Sequence, residues 1–451
     1  MTSRRLAVLL GLALLIVIGP IVGPDSAQPA SRYSLTAAFA EHGSVDLGPY
    51  RHSLGVDYSV YRGKLRSDKA PGQPLLAVPA YLVGRAFGAE SAAHAREFGD
   101  LGLWWETLWT SVMPLIALIG LMFLFAERFA PRHAALTVAL VIGLCTMMLP
   151  HAVNLYAHDL SALLGFGAWV AIEDAPMSAR RAWLGGTLAG MALATEYECG
   201  IVLAVLTVYV LFRQRHRIGW FALGAAGPGA LLAWYQWRAF GAPWRTPAAF
   251  YNIRSGYSVP GLHSLVSVLF GNRGVLLGAP IALIGLFGAV WLAVSGTGAA
   301  RRHALVALGI AVPYLVLCAG WSGFPLLEYP GLRYLIPALP FFAVPLAALW
   351  TRVWRPIIGA ALLGGALSIP IAFSFVLFGD AQRVFPELWR RIRAHEFLPT
   401  LWSMGFGRAG GAFYALSVIA TASALVALVR RGRTTPAGSR HLVPVTRGGS
   451  Q

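Results

Sequence analysis

The stretch "WWETLWTSVMPLIALIGLMFLFA" at 104–126 decides the class of fold. Its one ionisable group, Glu106, stands near the start, and every residue from Leu108 to Ala126 is uncharged. A helix rises about 1.5 Å per residue, so about 20 such residues cross a hydrocarbon core about 30 Å thick. Apolar runs of this kind recur at 5–23, 134–152, 159–175, 183–195, 198–212, 218–236, 274–293, 303–319, 335–350, 356–378 and 411–429. The chain is therefore expected to be all-α, a polytopic membrane protein with about twelve transmembrane helices. The first run reads as an uncleaved span, although Arg4, Arg5 and the small residues around Ser26 and Ala27 also fit a signal peptide.

Composition agrees. The 451 residues are 57% hydrophobic and 12% charged, with a mean hydropathy of +0.62, whereas soluble domains carry about 25% charged residues. The net charge of +17 follows topology. If both termini are cytoplasmic, the inside segments hold 18 of the 36 basic residues but only three acids, Glu127, Glu173 and Asp174. That leaves +15 inside and +2 outside, as the positive-inside rule expects, and a nucleic-acid partner is not needed. Residues 1–429 read as one transmembrane unit, and 430–451 as a disordered basic tail near anionic lipid. Cys145, Cys199 and Cys318 lie in or beside apolar runs and read as packing residues.

Long connections cluster on one side, at 24–103, about 237–273, 320–334 and 379–410. Long loops are where binding and catalysis concentrate. Within the first, 31–42 reads as a short amphipathic helix ending at Gly43, and 74–88 as an interfacial helix interrupted by Pro79. Between them lies the charged stretch "RSDKAPG" at 66–72. Other ionisable groups are held at the bilayer surface by neighbouring spans: Asp25, His158, Asp159, Glu196, Glu198, Glu328 and Arg333. Asp25 and Asp159 also fit helix caps, Arg333 a snorkelling residue, and Glu196 with Glu198 a helix break. Together they suit chemistry at the interface, with an acid as general base and arginine or lysine holding a lipid-linked phosphate.

The order "D…SRY…EHGS…Y…YRGKLRSDKAPGQPLLAVPAYLVG" over 25–84 resembles the first outside loop of the GT-C membrane glycosyltransferases. That group includes the lipid A aminoarabinose transferase and the protein O-mannosyltransferases. "HDLSALLGFGAWV" (158–170), "ATEYECGIVL" (194–203), "LFGNRGVLLGAPIALIG" (269–285) and "PGLRYLIPALPFFAVPLA" (330–347) resemble further stretches of its bacterial branch, in the same order. The resemblance implies an inverting transferase that moves a hexose or pentose from a polyprenyl-phosphate donor to a lipid, glycan or protein acceptor. It would act on the outer face of a bacterial cytoplasmic membrane, in contact with membrane lipid. By resemblance, Asp25 falls at the catalytic-base position and Asp159 at a second acid. Arg32, Tyr33, Asp68, Lys69, His158, Glu196, Arg273, Glu328 and Arg333 fall among the donor- and acceptor-binding positions. The family sets its Arg-Tyr pair two or three residues after the acid, whereas seven separate Asp25 from Arg32, which leaves Asp46 and Asp57 as alternatives.

No metal-ligand spacing is evident, so no cofactor is expected, although first-loop acids could hold a divalent ion. Two other classes and one rival enzyme share the apolar pattern; of the classes, a non-enzymatic membrane assembly protein would leave Asp25, Lys69 and Arg333 dispensable. A lipid-linked glycan flippase should show related halves with matching broken helices, and no internal repeat is evident. An O-antigen polymerase or ligase usually has its large outside loop late in the chain, and here the largest comes first.

Overall fold

The computed structural model describes residues 2–174, 176–251, 256–272, 274–321, 332–374 and 381–433. Helix α1 (Ser3–Ile18) leads into the first long loop, which is itself ordered. The loop holds α2 (Ala27–His42), a hairpin of β1 (Ser59–Tyr61) and β2 (Lys64–Arg66), and α3 (Gly72–Ala86). A long apolar segment follows: α4 (Leu101–Thr107), one π-helical turn (Leu108–Val112) and α5 (Met113–Ala126). Next come α6 (Arg132–Leu144), α7 (Met148–Ala152), α8 (His158–Ile172), α9 (Ala179–Thr195), α10 (Gly200–Arg213) and α11 (Ile218–Phe240). The rest comprises α12 (Leu262–Phe270), α13 (Val275–Gly278), α14 (Pro280–Ser295) and α15 (Gly298–Gly320). A 3₁₀ segment (Arg333–Phe342), α16 (Ala343–Ser374), α17 (Ala381–Ala394) and α18 (Leu401–Arg433) complete it.

The architecture is that of a polytopic all-α membrane protein, and the figure of twelve spans is not confirmed. Among the described residues four helical stretches are long and apolar enough to cross a membrane alone: Leu101–Ala126, Gly298–Gly320, Arg333–Ser374 and Leu401–Ala427. The pair Leu262–Gly278 and Pro280–Ser295 would make a fifth. Several other runs fold as shorter helices, such as α8 with 15 residues and α10 with 14. At about 1.5 Å per residue these cover less than the apolar thickness. The break at Glu196–Cys199, which the sequence also suggests, precedes α10, and a second break at Ala279 divides the run at 274–293.

Small residues bring helices into contact where lipid provides no hydrophobic driving force. A Cβ on Gly186 of α9 would overlap the Phe221 backbone, and one on Gly224 of α11 the Trp183 backbone. At one end of the bundle every acid assigned to the inside is paired. Glu127 meets Arg132 at 2.7 Å, Glu173 meets Arg128 at 3.1 Å, and Asp174 meets Arg128 and Arg181 at 2.6 and 3.1 Å. The loops grouped by charge in the sequence therefore do lie together.

Three expectations for the first loop and the tail change. Helix α2 starts earlier than expected and is no surface helix, since Gln28 to Ala38 are all buried. Helix α3 packs along one side and Glu106 of α4 accepts from Thr36 at 2.7 Å, so the polar residues of α2 are buried against protein. Its end is as expected: Gly43 takes the left-handed conformation at φ +57°, with its N–H on the Phe39 carbonyl. The β1–β2 hairpin was not anticipated, although its Arg62-Gly63 turn, with φ +49° and +74°, is a readable hairpin signal. The basic tail begins as helix, because α18 runs to Arg433, and residues 434–451 lie outside the described residues.

Candidate active site

"RSDKAPG" reaches the centre of the molecule because of its last residue. A Cβ on Gly72 would overlap the Ala194 carbonyl and the Thr195 amide at the end of α9. Only glycine permits that approach, which sets the loop beside Glu196. Lys69 then lies between two carboxylates, Asp68 at 2.6 Å and Asp57 at 3.2 Å. The Tyr251 hydroxyl donates to the other Asp57 oxygen at 2.6 Å, and the Ser31 hydroxyl donates to Asp68 at 3.1 Å. Arg333 is near enough to act on Asp57 electrostatically. Burial opposes ionisation of Asp57, but Lys69, Tyr251 and Arg333 outweigh it and hold the carboxyl below its usual range. The residue before Arg333, Leu332, is buried with φ +45°. Such strain in a leucine persists only where the surroundings enforce it, often at functional sites.

One residue beyond Ser31, Arg32 donates to Glu196 at 2.8 Å and to Gln28 at 3.1 Å, with its guanidinium 5.7 Å from the Tyr156 ring centre. His158 Nδ1 is 3.4 Å from the same Glu196 oxygen, and the His158 ring meets Tyr334 edge to face. The two groups form one polar centre, stitched by consecutive residues of α2 and by Arg333-Tyr334. His158, Glu196 and Glu198 bring one ligand atom each within 4.8 Å of the others. This set could hold a divalent ion, and the sequence concealed it because His158 opens α8 while Glu196 stands in the break after α9, 38 positions on. Arg32 already neutralises Glu196, so an ion there would compete with the guanidinium.

Asp25 stands outside this centre. Its nearest charged neighbours are acids: burial first, then Asp100 and Glu97, push it up to about 8. Among the described residues it makes no ion pair, and one of its oxygens is buried without a partner. Tyr33 belongs to that second group, stacked edge to face on Tyr81 and packed against Gly102. The expected Arg32-Tyr33 pair is therefore split, because successive helical residues point about 100° apart. Asp159 is wholly buried in the first turn of α8, and neither oxygen has a partner among the described residues. Arg273 and Glu328 lie outside the described residues. The sequence missed Tyr251 and Gln28, which carry no motif of their own, and Ser31, which stands in the SRY element beside Arg32 and Tyr33.

The protonated state of Asp25 has a stability signature. The folded chain keeps the proton up to about pH 8, whereas the unfolded chain releases it near its ordinary 3.8. Stability from this group is full below about pH 4 and is lost as pH rises to about 8, by at most about 1.4 kcal/mol per pH unit. Asp25→Asn should flatten the thermal midpoint across that window and leave the variant the more stable protein at pH 8.5. Identical pH profiles for the two proteins would refute the assignment.

An apolar cavity of about 500 Å³ lies along α3. It runs between Leu76, Pro79 and Val83 of α3 and the tryptophans Trp105 and Trp109, and ends at Leu160, two residues past His158. The π-helical turn builds its wall, and Gln73 ties that turn to α3 through Thr110 and Ser111 at 3.2 and 3.1 Å.

No family model matches the chain, and no curated protein does. Two solved structures share the architecture. ArnT from Cupriavidus metallidurans in the apo state superposes with a TM-score of 0.53 at 16% identity, over 95% of this chain and 72% of that one. The Archaeoglobus fulgidus oligosaccharyltransferase, solved with zinc and sulfate, gives 0.51 at 12% identity, over 92% of this chain. The chain spans only 57% of the oligosaccharyltransferase's length. At these identities the likeness establishes the fold alone, which this chain shares with both proteins.

Proposed function

We propose that this chain, a membrane protein of GT-C fold, is an inverting glycosyltransferase that takes a sugar from a polyprenyl-phosphate donor. The acceptor would be a lipid, glycan or protein at the outer face of a bacterial cytoplasmic membrane, with both termini on the inner side. The observation that carries the reading is one polar centre in which Arg32, Lys69 and Arg333 gather around Asp57, Asp68 and Glu196, and the same chain holds an apolar cavity along α3. A polyprenyl chain suits the cavity and a phosphate suits the cations.

In this reading the acceptor oxygen attacks the anomeric carbon, and the bond from that carbon to the phosphate oxygen breaks. Polyprenyl phosphate leaves with the electron pair toward Lys69 and Arg333, and the acceptor proton passes to Asp57. Asp57 suits the role better than Asp25. Its carboxyl stays ionised at neutral pH and is oriented by Lys69 and Tyr251. Asp25, at about 8, keeps its proton and faces other acids. A phosphate leaving group needs charge neutralisation rather than a separate acid.

Incubating the purified full chain with a panel of polyprenyl-phosphate sugars and candidate acceptors tests the reading, with release of polyprenyl phosphate as the signal. Turnover of at least one donor with inversion at the anomeric carbon is expected. Turnover of none, together with transbilayer movement of the lipid in vesicles, would favour a carrier.

A further inference from the structure

A second charged cavity, of about 470 Å³, lies where the β1–β2 hairpin meets the end of α11. Tyr61, Arg62, Lys64 and Arg66 line it from the hairpin, and Trp237 and Arg238 from the last turns of α11. The hairpin is held there by Tyr61, whose ring packs on Phe240 and Phe250 and whose hydroxyl accepts from Arg245 at 3.1 Å. Gly241, at φ +78°, makes room, since a Cβ there would run into Tyr61.

The charges divide into two sets. Arg66 donates to the Ala239 carbonyl at 3.2 Å and Arg245 to the Phe240 carbonyl at 3.3 Å, so both cap the free carbonyls that end α11. The acid at the rim, Asp46, faces Arg66 and Lys64 at 3.3 and 3.5 Å. Arg62 and Arg238 are in no ion pair among the described residues. Arg62 is held in the left-handed region at φ +49°, a costly conformation for a residue with a side chain. Beside them Trp237 is 56% exposed, and Trp234 and Trp244 near it are exposed too. Tryptophans exposed together at the end of an apolar helix suit the headgroup level of a membrane. With the orientation proposed above this is the outer face, where the positive-inside rule disfavours clustered arginine, so the cluster calls for another cause.

We propose that this cavity is a second anion site, which holds the phosphate-bearing headgroup of an anionic membrane lipid. Arg62 and Arg238 contact the phosphate, Lys64 adds charge at the rim, and Trp237 lies against the glycerol. The site shares no lining residue with the Lys69 centre and rests on the proposed function only for its orientation in the membrane. Its effect is to hold the hairpin, and with it the first loop, down on the bilayer.

Native mass spectrometry of the full chain in neutral detergent, titrated with phosphatidylglycerol, phosphatidylcholine or inorganic phosphate, tests the proposal. Phosphatidylglycerol should bind the wild type and Lys69→Ala alike, and the Arg62→Ala/Arg238→Ala double variant at least tenfold more weakly. The Arg62→Lys/Arg238→Lys variant should retain most of the affinity, which separates lost charge from lost fold. Equal binding of phosphatidylglycerol by the wild type and the alanine variant would overturn the proposal. Binding of inorganic phosphate as tight as that of the lipid would overturn the lipid assignment.

Discussion

Asp57→Asn is expected to slow polyprenyl-phosphate release by about 10²–10⁴-fold, the usual contribution of a positioned general base. Asp57 is buried, and its two oxygens are already directed by Lys69 at 3.2 Å and Tyr251 at 2.6 Å. The amide keeps the shape and removes the proton acceptor. Asp25→Asn should keep most of the rate, since Asp25 is protonated at neutral pH in any case. A structural role for Asp57 would not shift a pH profile, and a base would. Because Lys69 and Arg333 hold the Asp57 carboxyl below its usual range, the wild-type rate should fall only at acid pH, as Asp57 takes up a proton. Lys69→Ala removes the strongest of the lowering charges, so the acid limb of its residual rate should move to higher pH. Full turnover by Asp57→Asn with none by Asp25→Asn would return the role to Asp25.

Arg32→Gln is expected to cost about 3–5 kcal/mol of stability, because it strands a buried carboxylate. The side chains of Arg32 and Glu196 are only 3% and 9% exposed, and their charged atoms are 2.8 Å apart. Arg96 and Glu90 are equally close at 2.9 Å but 65% and 52% exposed. Breaking that pair should change stability by no more than about 1 kcal/mol, since water and salt screen it. The contrast isolates burial, because the distance is nearly shared. Replacing both Arg32 and Glu196 by methionine should recover much of the loss, as it leaves no unpaired charge. Denaturant titration in one detergent compares the variants. Equal effects at the two pairs would show that Glu196 is hydrated in the folded chain.

Some of the site could be read along the chain. "RSDKAPG" was recognisable because an acid, a lysine and a Pro-Gly turn interrupt an apolar sequence, and Lys69 does sit in the polar centre. Glu196, His158 and Arg333 are candidates because apolar neighbours force them to a helix end, Arg32 is one by resemblance, and they converge. The choice between Asp25 and Asp57 was not legible. Both lie in the same long loop, and only the burial of one among acids and of the other beside Lys69 separates them.

The sequence by itself determined that the chain is a membrane-embedded helical protein with its long loops on one side. Bilayer thickness and the clustering of arginine act on local stretches, so their marks are local. Only the tertiary structure decided which charges meet. Arg32 and Glu196 are 164 positions apart, and Tyr251 stands 194 from Asp57. Such pairs arise from the close approach of Gly72 to α9 and from the 100° step between Arg32 and Tyr33 on α2. Spacing along the chain fixes which face of a helix a residue occupies, and packing fixes what that face meets.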